Sequence, residues 1–276
     1  MEQRARITGF IIVKNGERLF DRCLESLSFC DRILIIDSYS TDATEAIARK
    51  HGAVFIQNKW PGFPEQHKFG TRWLMENLPS DWVVSLDSDE VVSPELRESI
   101  LKAVENPGEY AAFSMPRRTW YYDRFLLHGG CYPDRLFRLY RPEAIRIDNN
   151  GAHQQVVPSG PCGKLTGDIL HYSYCSFSNQ MEKLNQYAET GARDLEAKGK
   201  KGGVFQGLLH GTWRFLDMYV RRLGLLDGRA GFLMAVHQAF YTFLKYIRVK
   251  EGGWGAPFDH AFHDAPQSNN SESKRG

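Results

Sequence analysis

Short apolar runs alternate with stretches of helical spacing through the N-terminal part of the chain. Gly9-Phe10-Ile11-Ile12-Val13, Arg32-Ile33-Leu34-Ile35-Ile36, Val54-Phe55-Ile56 and Trp82-Val83-Val84-Ser85-Leu86 read as strands. Continuous β-branched runs of this length suit strands buried on both faces. Between them, Leu19, Phe20, Cys23, Leu24 and Leu27 recur at helical spacing. Residues 43–50 and 66–77 read as further helices, and Ser93-Pro94 supplies an N-cap and a first-turn proline for another. A βαβαβαβ order predicts an α/β fold whose mostly parallel, Rossmann-like sheet has right-handed crossovers and flanking helices.

Beyond residue 110 the pattern changes. Residues 111–115, 136–140 and 165–172 read as strands, with intervening loops rich in Arg, Tyr and His. Helices are predicted over 180–197, 205–223 and 231–249, followed by a polar stretch rich in Gly, Ser and Asn. The expected organisation is a sheet domain over 1–177, a helical extension over 178–252 and a flexible tail over 253–276.

Composition narrows the class. A chain of 276 residues suits one large domain, or one domain with an extension. The net charge of +2 gives no ground for a nucleic-acid partner. Five cysteines without a CxxC point away from a disulfide framework or a zinc site, and toward a reducing compartment. Met1 to Arg6 lead straight into a strand-like run without a signal-peptide stretch. No uninterrupted apolar run reaches the ~18 residues of a membrane-spanning helix.

Candidate chemistry gathers where the strands end. Asp87-Ser88-Asp89-Glu90 closes the fourth apolar run. In extended backbone, residues two apart project to the same side, so Asp87 and Asp89 should converge. Open α/β sheets bind ligands at strand carboxyl ends. Two converging carboxylates can hold Mg²⁺ or Mn²⁺, and such a cation neutralises phosphates. The plainer alternative is a solvated acidic turn. Glu90 reads either as a group behind those ligands or as an exposed side chain. Asp37 ends the second run beside the crevice where strand order reverses, where it could meet a base or ribose. Ser38, Ser40 and Asp42 also suit ordinary turn chemistry there. Lys14, Asn15 and Glu17 follow the first run and face the same crevice. Gln66, His67 and Lys68 are expected to open the third helix, where free N–H groups favour anions.

These segments resemble the motif series of family 2 glycosyltransferases: Phe10 to Asn15, Asp37 to Asp42, Trp60 to Phe63 and Leu86 to Glu90. Tyr132 to Arg141, Gly167 to Tyr174 and Leu223 to Gly231 are similar, more narrowly, to the bacterial lipopolysaccharide-core β-glucosyltransferase group. The resemblance spans roughly residues 7–250. It implies a GT-A fold, a nucleotide-diphosphate sugar donor, a divalent metal at Asp87 and Asp89, and inversion at the anomeric carbon. Lys14, Asn15, Glu17, Asp37, Ser38, Gln66, Lys68, Asp87 and Ser88 are the implied donor contacts. The implied donor is a UDP-hexose, with glucose the specific expectation. The implied acceptor is a lipopolysaccharide-core or related envelope glycan.

The chain departs from the family in three places. Gly16 stands for an acidic residue, Gln66-His67-Lys68 for Gln-Lys-Asn, and Ala152-His153-Gln154 for Val-His-Glu. The last change removes a carboxylate and leaves the catalytic base open. Inversion needs a base within hydrogen-bond reach of the acceptor hydroxyl. Asp134 and His153 are the leading candidates, ahead of Asp148, Asp168 and His171. Arg135, Arg138 and Arg141 are candidate clamps for diphosphate or an anionic acceptor.

The C-terminal helices interleave aromatic residues with Arg and Lys, as at Trp213-Arg214-Phe215 and Phe243-Leu244-Lys245-Tyr246. That pattern suits either an anionic membrane surface or an aromatic packing face with a solvated basic side. The expected location is cytoplasmic, or peripheral on the cytoplasmic face of the inner membrane. Two rival readings remain. One is a non-catalytic nucleotide-sugar-binding module, motivated by Gly16 and Gln154. The other is a haloacid-dehalogenase-type phosphatase, whose apolar-strand-DxDxV pattern Val83 to Val91 satisfies but whose downstream acidic pair is missing.

Overall fold

The computed structural model describes residues 4–148 and 155–249. Its centre is a mixed ten-stranded sheet. The parallel half contains β1 (Ile7–Val13), β2 (Arg32–Asp37), β3 (Val54–Gln57) and β4 (Trp82–Asp87). Strand order there is β3-β2-β1-β4, so order reverses between β1 and β4. Helices α1 (Phe20–Ser26), α2 (Thr44–Lys50) and α3 (Phe63–Asn77) make the crossovers. The predicted alternation is met. Near-complete burial of Ile11, Ile35, Ile36 and Val84 explains why these strands read as unbroken apolar runs.

The second half was less legible. β4 is followed at once by the short β5 (Glu90–Val92), then by α4 (Pro94–Glu105), which Ser93 caps by accepting the Leu96 N–H at 3.2 Å. The sheet continues through β6 (Ala112–Tyr121), β7 (Arg124–Phe125) and β8 (Asp134–Tyr140). β8 runs antiparallel to both β4 and β6. β9 (Ile145–Asp148) and β10 (Gln155–Pro158) pair antiparallel in a separate two-stranded sheet.

The strand expected over 165–172 is shorter, β12 (Ile169–His171), and is preceded by a strand that was not expected, β11 (Cys162–Lys164). Gly167, at φ +82°, turns the chain between them, where a Cβ would lie 2.2 Å from the Leu96 nitrogen. β12 then pairs with β6 and, antiparallel, with β5, bringing His171 opposite Glu90.

Three helices complete the described chain: α5 (Phe177–Ala197), α6 (Val204–Leu216) and α7 (Gly228–Arg248). The helix predicted to run to residue 223 leaves α-geometry after Leu216 and passes through a π-helical turn over Asp217–Arg221. These helices share a core with the sheet domain. Tyr121 and Leu126 pack with Met218, Ala230, Met234 and Ala235. The Tyr121 hydroxyl and the Gln180 amide are hydrogen-bonded within that junction. The expected tail over 253–276 lies outside the described residues.

Candidate functional site

The site is built where β1, β2 and β4 end. Asp87 is the last residue of β4, and Ser88-Asp89 turn the chain into β5. Arg138 of β8 grips Asp87 through its two terminal guanidinium nitrogens, at 2.7 and 3.4 Å. One of those nitrogens also reaches Glu90 at 3.3 Å. Glu90 is fully buried and accepts the Asp87 backbone N–H at 3.0 Å, so it holds the turn from behind. Arg117 of β6 bridges onward: it donates to Glu90 at 3.2 Å and to Asp134 at 2.7 and 3.0 Å. A continuous chain of charges thus runs Asp134–Arg117–Glu90–Arg138–Asp87.

These contacts set the protonation states. Burial pushes the Asp87 carboxyl up, but the charge and hydrogen bond of Arg138 win, and it lies below the usual carboxylate value. Asp89 is also pushed up by enclosure and pulled down further by His171, for a net lowering. Glu90 goes the other way: its burial outweighs the attraction of Arg138, and its carboxyl lies above the usual value.

Asp89 faces His171, with Nε2 at 3.6 Å from its carboxylate. The other ring nitrogen of His171 is buried without a hydrogen-bond partner. A carboxylate oxygen and an imidazole nitrogen at this spacing fit two positions around a divalent cation. Diphosphate oxygens and waters are the usual remainder around such an ion. Among the described residues no group of three or more metal-ligating side chains is assembled. Asp87, expected as the second metal ligand, has both oxygens on Arg138 in this arrangement.

The other candidates fall in two groups. Lys14 is exposed at the end of β1. Asn15 and Glu17 fasten their loop to the one after β2: Asn15 Oδ1 accepts from Thr41 N–H at 2.9 Å, and Glu17 accepts from Ala43 N–H at 3.0 Å. Asp37 is fully buried and accepts from the Ser40 backbone, the Ser40 hydroxyl and the Gln57 amide. Ser38 accepts from the Gln66 amide at 3.1 Å, and Gln66 is itself fully buried and bonded to Asn58. Ser88 lies against Gly16, where an added Cβ would come within 3.2 Å of it. The same Cβ would lie 2.7 Å from Val13 Cγ2, so position 16 is tight on both sides.

One premise is corrected. Helix α3 starts at Phe63, and the Gln66 N–H already donates to Gly62 at 3.0 Å, so residues 66–68 present no free helix-end donors. Lys68 pairs with Glu65 at 2.7 Å. His67 is buried beneath the site between Thr71 and Tyr140.

Asp134 stands at the mouth of the charge chain with its side chain 42% exposed. His153 lies outside the described residues. Of the three arginines after Asp134, only Arg138 joins the acidic turn. Arg135 donates to the Ser114 and Leu165 carbonyls, and Arg141 lies over the Trp82 ring. Asp168 pairs with Arg118. Arg117 was not anticipated, because only the β6–β8 register, which places it opposite Asp134, reveals its role.

The glycosyl transferase family 2 profile matches residues 10–158, more than half of the chain, and the chain belongs to that family. The sheet and its acidic turn are accordingly a GT-A glycosyltransferase domain, and the phosphatase reading is set aside. The lipopolysaccharide core biosynthesis glycosyltransferase LpsC of Rhizobium meliloti is 28% identical, over 88% of this chain and 91% of its own length. An uncharacterised glycosyltransferase of Rickettsia typhi is 29% identical, over 89% and 87% of the two chains. A crystal structure of glucosyl-3-phosphoglycerate synthase from Mycobacterium tuberculosis with Mn²⁺, UDP-glucose and phosphoglyceric acid is 23% identical. It overlaps 41% of this chain and 44% of its own, at a TM-score of 0.35. No helix among the described residues is long and apolar enough to cross a membrane.

Proposed function

We propose that this family 2 enzyme is an inverting hexosyltransferase. It moves glucose from UDP-glucose to a lipopolysaccharide-core or related envelope glycan, met at a membrane surface. The observation that carries the reading is the charge chain that links the acidic turn, Asp87 to Glu90, to Asp134. It ties a diphosphate-side group and an acceptor-side carboxylate into one rigid unit. The LpsC relative, matched over nearly all of both chains, supports the acceptor class.

Asp89 and His171 would hold Mn²⁺ or Mg²⁺, which supplies Lewis-acid neutralisation of the departing nucleoside diphosphate. The chain's own residues do the rest. Glu90 fixes the turn through the Asp87 N–H. Arg138 keeps Asp87 ionised at the crevice. Lys14 stands free at the end of β1 for phosphate or ribose, and the Asp37-Ser38 turn forms the floor on the nucleotide side. Arg117 holds one oxygen of Asp134, and the carboxylate takes the proton of the acceptor hydroxyl as general base. Residues 1–177 would form the transferase unit, with the helices after it as an extension.

The test is UDP release and sugar transfer with a panel of nucleotide sugars and Mn²⁺. Asp134→Asn should lower turnover by about 10²- to 10⁴-fold while donor-induced thermal stabilisation persists. Asp89→Ala should lose most of the Mn²⁺-dependent stabilisation by UDP species. Equal stabilisation of both proteins counts against the cation assignment. Donor binding with no turnover by the native chain would instead favour the non-catalytic module.

A further inference from the structure

Helix α6 carries its bulk on the wrong side for a packed helix. Its buried positions are Gly207 and Gly211, which lie against α7; an added Cβ there would come within 3.0–3.1 Å of Phe243 or the Ala239 carbonyl. Its large apolar side chains point away. Phe205 is 73% exposed and Trp213 61%, and Leu208, Leu209 and Leu216 are exposed with them. Val220 extends this stripe onto the π-helical turn. A shallow apolar groove of about 350 Å³ between α6 and α7 adjoins it. Contiguous exposed apolar surface of this kind marks an interaction face.

Charge at both ends of the stripe indicates what covers it. Lys198, Lys200 and Lys201 are exposed just before α6. At its other end, Arg214 of the last turn and Arg221 and Arg222 beyond it share the single carboxylate of Asp217, so positive charge remains in excess. A second copy of the chain seated by two-fold symmetry would set these basic ends against each other in either helix orientation. An anionic bilayer surface complements both the apolar stripe and its basic ends.

We propose that the outward face of α6 and its π-helical turn docks this enzyme in the interfacial zone of an anionic membrane. The apolar side chains enter at headgroup depth, and the basic ends meet the headgroups. The inference extends the proposed function by giving the surface at which a lipid-linked acceptor would be met. It rests on that reading only for the acceptor, because docking itself requires no turnover.

The experiment is co-sedimentation of the full chain with phosphatidylcholine vesicles, with and without phosphatidylglycerol. The native protein should pellet with the anionic vesicles and be released by salt. The double variant Leu209→Glu/Trp213→Glu changes exposed positions only. It should keep its circular dichroism and its UDP-sugar thermal shift, and lose vesicle partitioning by about tenfold or more. Lys200→Glu/Lys201→Glu should weaken binding to the anionic vesicles selectively. The inference is overturned by a native protein that stays in the supernatant, or that binds neutral vesicles equally well. It is likewise overturned by a double variant that pellets like native, or by a native dimer which that variant splits. Donor hydrolysis, measured in parallel without vesicles, reports separately on the transferase reading.

Discussion

Arg138 is the residue on which the site most depends. It is 12% exposed and is held by two carboxylates, Asp87 and the fully buried Glu90. Removing one member of a buried ion network leaves the others uncompensated, at a cost of about 3–5 kcal/mol. Arg138→Met, similar in volume, should destabilise the fold by that amount in urea unfolding; a loss under about 1 kcal/mol would mean that the network is not energetically closed. His67, beneath the same site, gives a pH signature. Burial, aided by Arg138, pushes its imidazole from 6.5 down to about 4. Between these values the unfolded chain binds the proton and the folded chain does not, so stability rises with pH across that window. On acidification from pH 6.5 to 4, His67 alone should account for a loss of about 3 kcal/mol, and His67→Gln should remove that contribution. The lowered carboxyls of Asp87 and Asp89 act in the same direction below about pH 4, whereas the raised carboxyl of Glu90 acts in the opposite direction above its ordinary value, so the His67 contribution is the difference between the native and His67→Gln slopes.

At the scale of elements, legibility followed burial. β1, β2 and β4 are enclosed on both faces, so their sequences are predominantly apolar and visible without a structure. The acidic turn was visible for the same reason, since it ends such a run. The charge chain behind it was not. Arg117 and Arg138 lie 27 and 48 residues beyond Glu90, and only the pairing of β6 with β8 and of β12 with β5 brings the pieces together. The C-terminal helices show the opposite limit. Their aromatic residues divide between packing and exposure: Phe215 stacks with Tyr219 while Trp213 stands in solvent. Helical spacing cannot separate these fates when glycines line the buried face, because the side chains that would mark it are absent.

The whole molecule is joined by a clasp at Asp227. This carboxylate is 4% exposed, yet it belongs to the helical extension and serves the sheet domain. It accepts the N–H groups of Leu127 and His128 at 3.1 and 2.8 Å, and the His128 ring nitrogen at 2.9 Å. The turn that carries it is closed by a tight glycine contact: a Cβ on Gly231 would lie 1.9 Å from the Gly224 carbonyl and 2.9 Å from the Asp227 Cβ. The loop it holds runs from Leu126 toward Asp134, so Asp134 is anchored from two sides, by Arg117 and by this clasp. Asp227→Ala would leave two backbone donors without their partner, at a cost of about 1–3 kcal/mol each where water cannot replace it. Amide hydrogen exchange at Leu127 and His128 should accelerate, while exchange in β1 and β4 stays unchanged. Under the proposed function, UDP release without acceptor should be retained and transfer should fall, because the donor side is built at the ends of β1 and β2 and this loop follows β7. Unaltered exchange at those two amides would show that the loop holds itself, and that the helices bear on the site only by covering it.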